Sequence, residues 1–310
     1  MWCHSLFYAA GGGRVASPWR EDPRHYAPGV IDLHTHSTAS DGTESPGQLV
    51  RAGRAAGLTT MAITDHDTTR GWAEATAAAR EAGIALVPGI EVSCARGHRS
   101  AHLLAYLPDP DAPALVTELE RARESREGRL DRMVEKMAAD GLPVSVESVR
   151  AEVQEGATPG RPHIADALVR AGAVEHRDDA FARWLGDSSP YYVPHYAPDP
   201  VRAVEAVRAA GGVPVLAHPY SRTRTGRVDP ELVEEMAAAG LAGLEAHHRD
   251  HDEDSVRALV GLAGTLGLLV TGSSDYHGTG KHNRLGENTT APEVLEAIEA
   301  RATGASVVRP

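Results

Sequence analysis

The sequence predicts a barrel-like α/β fold of about seven strands with a small α-helical insertion. Three patterns point to it. From residue 29 onward, short apolar runs alternate with alanine-rich helical stretches. Glycine, which tolerates the left-handed exit conformation, closes most of those stretches. His, Asp and Glu residues follow the apolar runs, as expected where a parallel barrel gathers its active site at the carboxyl ends of its strands.

In chain order the strand candidates are Val30–Leu33, Thr60–Ile63, Ile84–Val87, Leu103–Leu104, Val213–Leu216, Gly243–Ala246 and Leu268–Val270. Each is short and apolar and lies between turn or helix signals. The pattern predicts helices over 45–56, 71–82, 199–210 and 230–239, closed by Gly57, Gly83, Gly211-Gly212 and Gly240. Strand, helix, glycine, strand is the signature of βα units and a parallel sheet. His102 is the exception, since it begins its apolar run, so its strand is expected to start earlier.

Residues 109–198 break the rhythm and predict helices only. Leu115, Leu119, Leu130, Met133, Val134 and Met137 form a helical stripe ended by Gly141, and further helices are expected near 163–171 and 178–185. The stripe lapses over 120–129, which reads as a solvated face with i,i+4 ion pairs. The expected organisation is a disordered extension over 1–28, a barrel in two parts over 29–108 and 199–310, and an inserted helical unit over 109–198.

The chain has 310 residues, enough for one large α/β domain with an insertion or for two ordinary ones. A formal charge of −12 argues against long duplex nucleic acid or an anionic membrane as partner. A small phosphorylated substrate in a metal-rich pocket stays compatible, because a local field can oppose the global one. Cys3 and Cys94 make no disulfide framework, so a reducing cytoplasm is the expected setting. No apolar run approaches the ~18 residues of a spanning helix. The patch Leu6–Ala10 has no basic residue before it, so it reads as an extension or an early start rather than a signal peptide. Oligomeric state is left open.

Nine residues form a candidate metal cage: His34, His36, Asp41, His66, Glu91, His102, His218, Asp275 and His277. Imidazole and carboxylate without thiolate suit divalent Mn, Fe or Zn, and the set is too large for one ion. His34-Thr35-His36 and Asp275-Tyr276-His277 are i,i+2 pairs, whose side chains share one side of a strand. A lone His-x-His is weak evidence. Two such pairs, with Asp65-His66, Glu91 and His218-Pro219 at equivalent strand ends, would be costly to bury without metal.

The segments Asp32–Ser37, Ser40–Gly42, Ile63–Asp67, Pro88–Ser93, Leu216–Pro219 and Ser273–His277 resemble the motifs of the polymerase and histidinol phosphatase (PHP) superfamily, in order across residues 29–290. The resemblance implies a distorted (βα)7 barrel, a phosphoesterase activity and a cluster of three divalent ions, Mn foremost with Fe or Zn as alternatives. It implies that all nine residues are ligands with Glu91 bridging ions, and it makes Glu91, Asp41 and His218 the catalytic candidates.

Gly160–Ala165, followed by Tyr191–Pro194, is similar to the branch that removes the 3′-phosphate from nucleoside 3′,5′-bisphosphates, some members of which also trim short RNA from the 5′ end. In that branch the inserted helices lid the barrel. Arg161 and His163 match its motif, and Arg126 and Arg129 in the polar lapse of the stripe are added as phosphate contacts, so these four are the substrate-binding candidates. Two departures stand out: Tyr220 where the branch often has glycine, expected to narrow the pocket, and Gly160 where a hydroxyl residue is common. The expected nucleophile is a metal-bridging hydroxide attacking phosphorus in line, with Asp32 and Asp65 orienting imidazoles. The alternatives are a histidinol-phosphate or other small-molecule phosphomonoesterase, and a non-catalytic PHP module.

The remaining candidates read as ordinary. His247 and His248 are rim or supporting residues, and His4, His25, His98, His176 and His251 are surface. Lys281 and Arg284 are surface charges on a loop whose His282 approaches substrate, and Cys94 is a small buried residue.

Overall fold

In a computed structural model, residues 29–97, 99–221 and 227–310 are described. The readings of residues 1–28, including His4 and His25, and of His98 fall outside them.

Seven strands form one sheet in which spatial order follows chain order. They are β1 (Ile31–Asp32), β2 (Thr60–Ile63), β3 (Ala85–Arg96), β4 (Arg99–Tyr106), β5 (Val213–Ala217), β6 (Gly243–His247) and β7 (Leu269–Gly272). Beyond β1 and β7 the sheet meets itself, where Thr35 bridges Tyr276 and the His36 amide donates to the Tyr276 carbonyl at 2.8 Å. The barrel is nearly closed.

The all-parallel expectation needs one correction. Strand β4 runs antiparallel to both β3 and β5. Parallel neighbours require a crossover of a dozen or more residues, whereas β3 ends at Arg96 and β4 begins at Arg99, too close in the chain for a crossover. That reversal explains His102. On β4 the amino half lies at the mouth of the barrel, and Ser93 faces His102 across the ladder while Glu91 faces Leu104.

The first two helices follow the expected grammar. Helix α1 (Pro46–Ala55) starts in a capping box of Ser45 and Gln48, and α2 (Trp72–Ala82) ends at Gly83 with φ 66°. Five helices lie between β4 and β5, of which the first four belong to the insertion: α3 (Pro113–Ala139), α4 (Val146–Arg150), α5 (Arg161–Arg170) and α6 (Arg177–Ala180), the last continued by a π-helical turn over Phe181–Leu185. The barrel resumes with α7 (Pro200–Ala209), α8 (Pro230–Ala239), α9 (Glu253–Leu266) and α10 (Pro292–Arg301). None of these helices is both long and apolar enough to cross a membrane.

Leu33, Ala62, Val87, Leu104, Tyr106 and Val215 are buried in one cluster, and the helices pack outside on Met61, Ile63, Leu86, Leu103, Leu216 and Leu244. Helices α3–α6 bring a cluster of their own, centred on Met133, Met137, Ile164, Leu168 and Leu185. Within α3 the solvated-face expectation fails for two residues. Arg126 and Arg129 are buried, because with Ala122 they continue the stripe from Leu119 to Leu130 and Met133 at steps of three and four. Glu120, Arg121, Glu124 and Glu127 are exposed as expected.

Because the clusters are separate, Met133→Ala should remove about 2–5 kcal/mol from the packing of α3–α6. Hydrogen exchange should then rise in α3, α5 and α6 ahead of the barrel strands. A uniform rise through β2, β5 and β6 would contradict independent packing.

Candidate active site

All nine cage residues converge at the mouth of the barrel, and all are buried. Glu91 is at the centre. Its Oε2 lies 3.1 Å from His34 Nε2, 3.0 Å from His36 Nε2 and 3.3 Å from His66 Nδ1. Its Oε1 lies 3.0 Å from His218 Nε2 and contacts His102 Nδ1. Asp275 Oδ1 is 3.4 Å from Nε2 of both His34 and His36, and Asp41 Oδ1 is 3.4 Å from His277 Nε2. Four overlapping sets of three or four ligand atoms, each set within 4.8 Å, cover these residues and add Glu245.

The local backbone is bent to achieve this. Asp67, His218 and Asp275 adopt positive φ of 53°, 28° and 53°, which non-glycine residues rarely do. Hydrogen bonds hold them there. Asp67 accepts from the Ser93 amide and hydroxyl, each at 2.8 Å, and the His218 amide donates to Glu245 Oε2 at 2.8 Å. Asn283 Nδ2 donates to the carbonyls of Ser274 and Asp275. At Gly42 a Cβ would stand 2.3 Å from the His36 carbonyl, so the tight turn presenting Asp41 requires glycine.

The electrostatics are those of a metal pocket. Burial alone would push Asp41 and Glu91 up, but neighbouring imidazoles outweigh it and hold both carboxyls well below the usual range. Burial opposes Asp275 as well, and Lys281 with His277 carries it down. The imidazoles divide. Burial and Lys281 lower His277 to about 4, whereas bonds to Asp275 and Glu91 overcome burial and raise His36 to about 9. Protons do not satisfy every group: His66 Nδ1 and Glu91 Oε2 are buried with no hydrogen-bond partner among the described residues. Convergent lone pairs left over in this way fit divalent cations.

Several supporting residues differ from expectation. Asp32 and Asp65 bind backbone amides and serine hydroxyls rather than imidazole. Asp32 accepts from the amides of Ser274 (3.0 Å) and Gly286 (2.9 Å), while Asp65 accepts from the Ser37 amide and from both Ser37 and Ser40 hydroxyls. The residue that orients His34 is Glu245, whose Oε1 is 3.0 Å from His34 Nδ1. It was not singled out, though it is the one charge in an apolar strand. Lys281 is no ordinary surface charge, since its Nζ donates to Asp275 Oδ2 at 2.7 Å. His248 is buried 3.6 Å from Asp275 Oδ2, while His247 is exposed. His251 is buried too: its Nε2 accepts from the Tyr220 amide, and its Nδ1 lies 2.8 Å from the Ala246 carbonyl. Burial pushes the Cys94 thiol well above its usual value.

Arginines from the helical region face this cage. Arg126 places Nε 3.0 Å from Asp67 Oδ2 and also contacts the Ser93 hydroxyl. Arg129 donates to the Val193 carbonyl at 2.9 Å and lies 5.1 Å from the centre of the Tyr192 ring. Burial, Arg161 and Arg126 together lower Arg129 to about 9. Arg161 donates to the Leu185 carbonyl and to Asp187, and sits 5.8 Å from the Tyr192 ring centre. A further member was missed. His195 has a buried Nε2 without a hydrogen-bond partner among the described residues, and burial plus these three guanidiniums and His102 depress its imidazole to about 2. Contacts on either side hold it against α3, since Arg129 donates to the Val193 carbonyl and the Tyr196 amide donates to the Ser125 hydroxyl. His163 instead accepts from the Gly160 amide at 3.1 Å, capping α5. Tyr220 is buried in the barrel-side core, with Arg227 5.0 Å from its ring centre. Arg284 and His282 are exposed.

A PHP domain matches residues 32–119. The chain is 34% identical over 283 residues to a 3′,5′-nucleoside bisphosphate phosphatase of Chromobacterium violaceum, covering 90% of this chain and 98% of that one. It is also 34% identical over 246 residues to a 5′-3′ exoribonuclease of Haemophilus influenzae, covering 79% and 89%. A solved structure described as a metal-dependent phosphoesterase of Bifidobacterium adolescentis superposes with a TM-score of 0.85 at 42% identity, covering 88% of this chain and 96% of that chain. With the nearly closed barrel and its histidine-rich mouth, these likenesses establish that the chain belongs to the PHP family of metal-dependent phosphoesterases.

Proposed function

We propose that this enzyme removes the 3′-phosphate from nucleoside 3′,5′-bisphosphates. One observation carries the reading: two sites lie side by side, one suited to the divalent cations that draw phosphate and one basic. The first is the cage around Glu91, and the second is the group of Arg126, Arg129, Arg161 and His195. A substrate with two phosphates would use both. The relative named as a nucleoside bisphosphate phosphatase supports this choice, and the one named as an exoribonuclease supports short 5′-phosphorylated RNA as a second substrate of the same site.

In this reading the nine residues hold three divalent ions, with Mn as the preferred occupant. When bound, such ions draw charge from a phosphoryl group and make hydroxide available near neutral pH. The chain's own residues do the rest. Glu91, reached by five imidazoles, is the shared carboxylate; Asp41 and His218 complete opposite sides of the cage. Glu245 fixes the His34 ring so that Nε2 faces Glu91. Helices α3–α6 act as a lid. Arg161 and Arg129, planar and stacked near Tyr192, present forks to the non-reacting phosphate, which then positions the other for reaction.

Adenosine 3′,5′-bisphosphate should yield adenosine 5′-monophosphate and phosphate, with label from ¹⁸O-water in the phosphate. More efficient hydrolysis of histidinol phosphate than of any nucleoside bisphosphate would favour the small-molecule phosphatase instead.

Metal-loaded protein should carry between two and three equivalents of ion, lost with activity on chelation. Glu245→Gln should weaken metal affinity by about 10–100-fold while the fold persists, as removal of a ligand-orienting carboxylate does. Unchanged affinity by metal titration would deny Glu245 that role.

Arg161→Ala should leave metal content unchanged and raise KM for the bisphosphate at least tenfold, while a generic aryl phosphate is little affected. Equal losses on both substrates would make Arg161 structural, a role its bonds to Leu185 and Asp187 would explain.

A further inference from the structure

Beside the lid lies a second basic feature that the proposed reaction on a mononucleotide does not use. A cleft of about 230 Å³ opens between α3, α4 and the loop that leads from β2 into α2. Arg70, Arg123 and Arg150 line it, together with Glu127, Gln154 and Gly156. In a chain with a net charge of −12, three guanidiniums around one cleft are a local reversal of sign.

Two of those charges are not neutralised. Arg150 donates to Asp131 at 2.7 Å, but Arg123 and Arg70 form no ion pair among the described residues, and Glu127 approaches neither closely enough to pair. Arg70 is held instead by a carbonyl, donating to Gly156 at 2.8 Å. That seat is built for it. Gly156 has φ +76°, and a Cβ there would come 1.7 Å from Arg70 Nη1, so the backbone is left bare where the guanidinium lies. Placing like charges around a cleft costs energy unless an anion offsets them.

The cleft adjoins the catalytic mouth. Arg123 precedes Arg126 on α3 by about 4.5 Å of axial rise, and Arg126 contacts Asp67 and Ser93 at the cage. Arg70 follows Asp67 by three residues on the other wall. The irregular segment along the floor passes directly from Gly156 to Gly160 and Arg161, and Thr158 donates its amide to the Ala39 carbonyl near Asp41. Gln154 is shared with a second cleft, which reaches Ser40 and His163.

We propose that this cleft binds the phosphodiester backbone of a single-stranded oligonucleotide whose terminal nucleotide occupies the catalytic mouth. The inference rests on the phosphoesterase reading of that mouth and extends it to longer substrates. Guanidiniums at Arg123 and Arg70 would contact successive phosphates, and Gln154 would offer a neutral amide between them. Groups that recognise a backbone carry no base code, so binding is independent of sequence and falls with salt.

The test uses the metal-loaded full chain and a pentaribonucleotide with a 5′-phosphate, a 3′-fluorescein and phosphorothioate linkages that resist cleavage. Fluorescence anisotropy should show binding to the wild type. The double variant Arg70→Ala/Arg123→Ala should bind at least tenfold more weakly, with the slope of log affinity against log salt reduced by about 1.4, the value for two lost single-strand phosphate contacts. Turnover of adenosine 3′,5′-bisphosphate should stay within twofold of wild type. Gly156→Ala, which displaces only the Arg70 seat, should weaken the oligonucleotide in the same direction. Equal oligonucleotide affinity in wild type and double variant, no binding to either, or a parallel loss of bisphosphate turnover would overturn the proposal. Failure of the wild type to hydrolyse the bisphosphate would instead refute the reaction assigned to the mouth, while the binding comparison would still judge the cleft.

Discussion

Five imidazoles around the single carboxylate of Glu91 set the terms for the rest of the molecule. His34 and His36 share one segment while His66, His102 and His218 come from three others, yet each places a ring nitrogen beside one or other oxygen of Glu91. Such a cluster is costly to bury, since burial opposes charge on acid and base alike. The neighbouring residues answer that cost by fixing geometry. Positive φ at His218 and Asp275 turns the chain at the mouth, and Glu245, Asp32 and Asp65 tie down the segments that deliver the ligands.

The reversed strand β4 belongs to the same solution. A parallel barrel offers only strand ends to its active site, but the β3–β4 hairpin brings His102 into the mouth from the middle of a ladder. Long β3 also carries Ser93, which meets Arg126 and Asp67. One short stretch of ladder thus serves both the cage and the region that faces it.

Much of this was legible in the sequence because it is local. Glycines at the ends of α1, α2, α7 and α8, and ligand-type residues after apolar runs, follow from backbone geometry that a few neighbouring residues decide. What was not legible depends on contacts across long separations. Nothing near Arg126 announces that its charge meets Asp67, so the polar stretch on α3 read as solvated although its spacing continued the buried stripe. His251 sits in a polar segment, yet the fold brings it under Tyr220. Glu245 and Lys281 were ordinary residues until partners more than two hundred positions away, or just around a loop, gave them a task. The all-parallel expectation failed for a different reason, since alternation of apolar runs carries no sign for strand direction.

The private hydrophobic cluster of α3–α6 has an evolutionary consequence. Residues such as Met133, Ile164 and Leu185 pack on one another rather than on the strands, so sequence change there is largely decoupled from the chemistry at the mouth. A lineage can therefore vary α3–α6 to accept new molecules while inheriting its reactive centre intact. Innovation of that kind is cheap, because a few polar ties, among them the Arg126–Asp67 pair and the Thr158 amide on the Ala39 carbonyl, keep the exchangeable part in register with the permanent one.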